Sequence, residues 1–370
     1  MDAKLWPPIT GTGLRTLITG RAVMPVSPAV QALYSLLGIT GTVNVIEGTD
    51  AAQTLNGTAG SDYISGHNGL LDTLNGMGGN DYLEGGAGID AINGGAGIDT
   101  AGYATAGSGV TVLMTVGGVG TAVGGDGLAD TLTGIENVVG SNFNDTITGD
   151  NLANVLAGLG GNDTLNGGAG NDTLNGGAGN DTLNGGAGTS DTADFSTSTG
   201  NLNITVGQVA AFGDGLGGQD TMTGIENLTG GSGNDTLTGD AANNILIGGG
   251  GNDTLRGGNG DDKLYGGPGD DTLNGGAGND IFVFKTFADS GGNVQDHILG
   301  FESGEKVDLT EVLANHGVLQ FFFNDFGNGT GNVEVRDEAH PELFQRIVFS
   351  AYIEMANGAP FDFNQSDYIF

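Results

Sequence analysis

Large apolar residues recur along this chain every nine positions, and the residues between them are mostly small or polar. They fall at Ile46, Leu55, Ile64, Leu74, Leu83 and Ile92, with one extra residue near Leu70–Leu71. A second series holds Val138, Ile147, Leu156, Leu165, Leu174 and Leu183; a third holds Leu228, Leu237, Leu246, Leu255, Leu264 and Leu273. The run Leu165–Asn184, LNGGAGNDTLNGGAGNDTLN, shows the unit at its plainest. Its T-L-N portion predicts a three-residue strand, with the central Leu facing one way and its flanks the other. The G-G-A-G-N-D portion must then turn the chain back. Two units make one 18-residue coil with a strand on each side, and coils stack through parallel pairing. The expected fold is all-β: a right-handed parallel β-roll, or β-solenoid.

The same pattern divides the chain. Repeat blocks are expected at 46–100, 138–192 and 228–281, with spacers at 101–137 and 193–227. The second and third blocks are offset by 90 residues, and their irregular units also correspond: ITGDNLANV (147–155) with LTGDAANNI (237–245), and TLTGIEN (131–137) with TMTGIEN (221–227). This is an internal duplication, of which the first block is a more diverged copy. Each spacer holds a β-like run, Val110–Val116 or Asn203–Val206, and each is read as irregular coils, about two in number, that continue the stack. In 1–45, Ser27 is an N-cap and Pro28 sits at N1, while Val30, Leu33, Tyr34 and Leu37 share a face and Gly38 stops the helix. A short helix over 28–37 is predicted to cap the open end of the roll, or to bind a partner. In 282–370, thirteen of the 16 Phe follow Ile281, and IFVF, HILGF, LQFFF, NVEVR and RIVFSAYI read as strands. A short helix is expected at 310–317.

Charge sharpens this picture. The net charge is −35, and from Ala22 to Leu255 there is no Lys or Arg against 24 Asp and Glu. A compact body so charged repels itself. Something positive must neutralise it, and a divalent metal is the simplest candidate. Nucleic acid and anionic membrane are disfavoured as partners. There is no Cys, which excludes disulfides and thiolate metal sites. The N-terminal stretch lacks a basic segment followed by an uninterrupted apolar core, so no cleavable signal peptide is expected. No apolar run is long enough for a membrane span.

The turn itself suits a hard cation. The chain has 76 glycines; those of the turn allow tight stacking with carbonyls exposed, and each unit adds one Asp. Such a turn offers only oxygen, which calcium takes, whereas zinc or copper would want His or Cys. G-G-x-G-x-D occurs nine times, ending in Asp90, Asp99, Asp172, Asp181, Asp235, Asp253, Asp262, Asp271 and Asp280; near matches end in Asp81, Asp163 and Asp191. These carboxylates, with Gly167, Gly170, Gly176, Gly179, Gly248, Gly257, Gly266 and Gly275, are the candidate metal ligands. Alternate units should share an edge, so Asp163 stacks with Asp181, Asp235 and Asp253 with Asp271, and Asp262 with Asp280. The bland alternative is a dry solenoid with solvated Asp turns. Asn154 and Asn244 stand where Asp is expected, in loops without the double glycine, so metal is not assumed there although Asp150 and Asp240 are near.

The nonapeptides and the D-T-L-T-G-I-E-N spacers resemble hemolysin-type RTX calcium-binding proteins, over about residues 46–370. The tail resembles the C-terminal region of serralysin-like proteins, in DIFVF (280–284) and HILGFESGEKVDL (297–309), and the terminal Asp367-Tyr368-Ile369-Phe370 resembles the type I secretion signal of that group. The resemblance implies a roll that folds on several Ca²⁺ ions, export by type I secretion machinery, and an extracellular, bacterial location.

No catalytic constellation emerges. HExxH and GxSxG are absent; His67 reads as a diverged turn residue and His316 as a helix C-terminal cap. The expectation is a protein that is not an enzyme: a secreted, structural or surface-associated calcium-binding roll that self-associates into a layer, matrix or filament. The alternatives are the secretion-and-folding half of an exoenzyme (a protease, lipase or polysaccharide epimerase) and a carbohydrate-binding module.

Overall fold

The computed structural model describes residues 43–69, 71–124, 127–208, 210–285, 296–300 and 305–308, together with the backbone of the strands Leu319–Asp325, Gly331–Asp337, Phe344–Ser350 and Tyr368–Ile369. It is an all-β parallel roll. One face is a 14-stranded sheet of wholly parallel strands, running from Asn44–Glu47 to Tyr368–Ile369. The other face is built from the alternate strands and is divided into an 11-stranded and an 8-stranded sheet. Regular coils pair at an offset of 18 residues: Leu156 faces Leu174 on the first side, and Leu165 faces Leu183 on the second.

Between the faces runs one continuous apolar core. The nine-residue period fills it. Ile64, Leu74, Leu83 and every apolar repeat position of the second and third blocks are fully buried, whereas Ile46 and Leu55, in the first coil, are partly buried. Flanking strand residues face outward, as in Thr164–Ala169, where Thr164 is exposed and Leu165 buried. Each coil contributes little apolar area, so the roll is held by the stack and not by any one unit.

The spacers join the stack differently from regular coils. Between Thr100–Gly102 and Asn137–Val139, which pair directly on the first face, the chain places three strands on the second: Thr111–Thr115, Val119–Val123 and Ala129–Thr133. The middle strand is antiparallel to both neighbours. The spacer is therefore one coil carrying a reversed strand, and not two irregular coils. The second spacer repeats the plan with a gap. Phe212–Gly213 is antiparallel to Gln219–Thr223 and ends one sheet, while Asn203–Thr205 starts the next by pairing with Thr236–Thr238. The second face breaks there.

Beyond the third block, Asp296–Leu299 pairs with Phe344–Ser350, and an antiparallel meander through Gly331–Asp337 to Leu319–Asp325 completes the sheet. The predicted helices at 28–37 and 310–317, and His316, lie outside the described residues. Among the described residues no helix is long and apolar enough to cross a membrane.

Candidate metal centre

Each coil brings two repeat turns to opposite edges of the roll, and on each edge the Asp side chains form a ladder. The backbone N–H of one Asp donates to Oδ1 of the Asp one coil further on. Asp163 donates to Asp181, Asp235 to Asp253 and Asp253 to Asp271 on one edge, at 2.7–2.8 Å. On the other, Asp81 donates to Asp99, Asp172 to Asp191 and Asp262 to Asp280, at 2.7–2.9 Å. Asp90 donates to Asp130 and accepts from Asp72. The ladder explains why Asp is needed: its short carboxylate reaches back to a main-chain N–H one coil away and so fixes the turn.

That bond uses one oxygen. The other, Oδ2, is buried without a hydrogen-bond partner in Asp81, Asp99, Asp163, Asp172, Asp181, Asp191, Asp253 and Asp262. It points at the first glycine of its own turn. A Cβ on Gly158 would clash with Asp163 Oδ2 and stand 2.6 Å from the Gly176 carbonyl oxygen of the next coil. The same cradle recurs at Gly167, with Asp172 Oδ2 and the Gly185 carbonyl; at Gly248, with Asp253 Oδ2 and the Gly266 carbonyl; and at Gly257, with Asp262 Oδ2 and the Gly275 carbonyl. Gly176, Gly266 and Gly275 likewise face the carboxylates of Asp181, Asp271 and Asp280. Gly170 and Gly179 sit further along the turn at φ of 126° and 147°, where a side chain would strike the preceding coil.

A buried carboxylate oxygen without a hydrogen-bond partner, set beside a carbonyl oxygen, costs free energy unless a cation enters; the carbonyl can keep its own bond, as Gly266 does from the Gly249 N–H at 3.0 Å. The oxygen-only donor set fits a hard divalent ion. Among the described residues no three acidic or imidazole side chains converge on one point, so carbonyls must supply much of any coordination shell.

The electrostatics agree. Burial raises Asp81, Asp163, Asp220 and Asp253 from 3.8 to about 7, and Asp99, Asp172 and Asp262 to about 6. The donated N–H pulls each one back down, and neighbouring ladder carboxylates push it further up. Burial also raises Asp181 and Asp191. As anions these groups repel one another in a dry stack.

Asp235 differs from the other candidates: Oδ1 accepts from Leu202 N–H at 2.8 Å and Oδ2 from Gly231 N–H at 2.9 Å. Its carboxylate is satisfied by backbone. The loops with Asn close themselves another way. Asn154 Oδ1 accepts from Asp150 N–H at 2.8 Å, and its Nδ2 donates to the Glu136 carbonyl at 2.7 Å. Asn244 does the same with Asp240 and the Glu226 carbonyl. There the oxygen that faces the cradle is a neutral amide Oδ1, already bonded to a backbone N–H of its own loop. Asp150 instead receives N–H bonds from Gly117 and Gly118 and holds the first spacer's hairpin.

Several ladder members escaped the motif. Asp72, Asp130, Asp145 and Asp220 take the same place, and Glu136 and Glu226 replace Asp where the spacers rejoin the roll, accepting from Asp99 and Asp191 at 2.8 and 2.9 Å. The four Asp share one signal, a carboxylate two residues before an inward apolar side chain, as in Asp130-Thr131-Leu132 and Asp220-Thr221-Met222. The glycines are what vary.

Fold and site together define a parallel β-roll with cation cradles stacked along both edges. Residues 47–69, 71–101, 130–165, 157–190, 220–255 and 247–282 match the family model of the RTX calcium-binding nonapeptide repeat, and the chain belongs to that family. Among solved structures, a subunit of the Azotobacter vinelandii mannuronan C5-epimerase is similar at 28% identity over 37% of this chain and 78% of its own length, with a TM-score of 0.29. An extracellular lipase from Serratia marcescens is similar at 14% identity over 90% of this chain, with a TM-score of 0.23. This chain covers 40% of that lipase's length. No curated protein matches.

Proposed function

We propose that this chain is a secreted structural or surface-associated protein, not an enzyme, whose roll folds when several calcium ions enter the turn cradles outside the cell. One observation carries the reading: buried Oδ2 atoms without partners recur along both edges, in a stretch where Ala22–Leu255 contains no Lys or Arg. Folding that stack without a counter-ion gathers unpaired buried charge. A ligand that binds only the folded form stabilises it by mass action, and binding then is folding. Asp163, Asp172, Asp181, Asp253 and Asp262, with the facing glycine carbonyls, would hold the ions. Calcium supplies the neutralising charge, while the chain's own N–H ladder orients each carboxylate.

Where free calcium is scarce the chain stays extended and fit for threading through a type I exporter, which would read the serralysin-like tail ending in Asp367–Phe370. Outside, calcium folds it, and the long flat faces favour self-association into a layer or filament. A calcium titration of the whole chain, followed by circular dichroism and light scattering together, tests both halves. The expected result is a coil-to-β transition followed by a rise in scattering. An unchanged spectrum contradicts calcium-driven folding; folding without growth in particle size contradicts the structural role.

A further inference from the structure

The hairpin that ends the second spacer carries a buried carboxylate outside the repeat spacing. Asp214 follows the strand Phe212–Gly213, in the loop that returns to Gln219–Thr223. It is 1% exposed. Oδ1 accepts three N–H bonds, from Leu216, Gly217 and Gly218, at 2.8, 2.9 and 2.8 Å. Oδ2 is buried and has no hydrogen-bond partner. A Cβ on Gly218 would stand 2.8 Å from that oxygen and overlap the carbonyl oxygen of Gly179. A carboxylate oxygen and a glycine carbonyl thus meet at a bare Cα, as they do in the repeat cradles. The chain reaches the arrangement by another route, with the Asp four residues before its glycine instead of five after it.

We propose that Asp214 Oδ2 and the Gly179 carbonyl hold a further divalent cation of the calcium type, which fastens the 212–220 hairpin to the 176–181 turn. This rests on the calcium reading of the cradles above. The hairpin is already pinned over that turn: Gln219 N–H donates to Asn180 Oδ1 and Asp181 N–H to Asp220 Oδ1, both at 2.8 Å. Asp181 and Asp220 each keep a buried, unpartnered Oδ2 nearby, so the surroundings are strongly negative, and Ala22–Leu255 offers no basic side chain to balance them. The place is also where the second face breaks between its two sheets. Strand pairing already joins Gln219–Thr223 to Thr182–Ala187, the strand that follows the 176–181 turn, and an ion there extends that join from the strands to the loops at the exposed end of the sheet.

The test is native mass spectrometry of the whole chain saturated with calcium, comparing wild type with Asp214→Asn. The amide keeps the Oδ1 acceptor for the three loop N–H groups and turns an N–H₂ toward the Gly179 carbonyl, as Asn154 does toward Glu136. The variant should bind one ion fewer while its circular dichroism in calcium is unchanged; an equal ion count overturns the proposal. Calcium anomalous scattering from wild-type crystals gives a reading that needs no variant. A peak between Asp214 and Gly179 supports the site, and its absence while the Asp163 and Asp253 cradles are filled overturns it. A wild-type chain that binds no calcium would overturn the repeat reading as well, a result distinct from the loss of this one site.

Discussion

At the scale of one residue, the ladder Asp does two jobs with two oxygens. Oδ1 ties adjacent coils, and Oδ2 faces a cradle. Raised carboxyls make the cation-free roll sensitive to pH, with a definite sign. The folded-state value is about 7 for Asp81, Asp163 and Asp253, against an ordinary 3.8. Between those values the folded chain binds protons that the unfolded chain does not, so stability falls as pH rises through the window. The penalty is absent below the ordinary value and complete above about 7. Calcium-depleted protein should therefore gain β-structure on acidification from about pH 7.5 to about pH 5, read by circular dichroism. Less structure at the lower pH would contradict buried ladder carboxylates. With calcium present the dependence reverses, because protons compete for the same oxygens, and the calcium midpoint should rise on acidification. Asn154 supplies the complementary case. Asn154→Asp puts a carboxylate where the neutral Oδ1 now stands beside Gly149 and the Gly167 carbonyl, and the variant should bind one more calcium ion by native mass spectrometry; an unchanged count would show that this loop, closed by the Asp150 N–H and without its double glycine, does not hold one.

At the scale of the element, the strands are three to six residues long in the repeats, too short to persist alone. Their stability lies in the inward apolar residue. Leu174 is fully buried and Ile98 is 51% exposed. Leu174→Ala should cost about 2–5 kcal/mol and Ile98→Ala less than about 0.5 kcal/mol, measured by denaturant unfolding in calcium. Equal effects would mean that the apolar period does not set the core. Those inward positions were legible in the sequence because a strand's two-fold alternation leaves only one way to hide them. The reversed strand Val119–Val123 was not legible. VGTAV alternates like its neighbours, and nothing local distinguishes antiparallel from parallel pairing; the long-range register decides it. Asp130 and Asp220 lie outside the motif for a related reason. The motif is defined by its glycines, whereas the ladder needs only the carboxylate two residues before the buried side chain.

At the scale of the whole molecule, one continuous core and one unbroken 14-stranded face join the three repeat blocks through both spacers. Glu136 and Glu226 carry the ladder across the junctions, where a longer side chain spans the irregular offset. Loss of calcium should therefore loosen the roll as a coupled stack and not as separate blocks. The duplication explains why the second and third blocks share even their Asn-closed loops at Asn154 and Asn244. Amide hydrogen exchange of the intact chain, compared in calcium and in chelator, tests this most directly. Protection of the ladder amides across 138–192 and 228–281 should be strong in calcium and lost across both blocks in chelator. Equal protection in the two conditions would contradict a roll that depends on cations in its cradles.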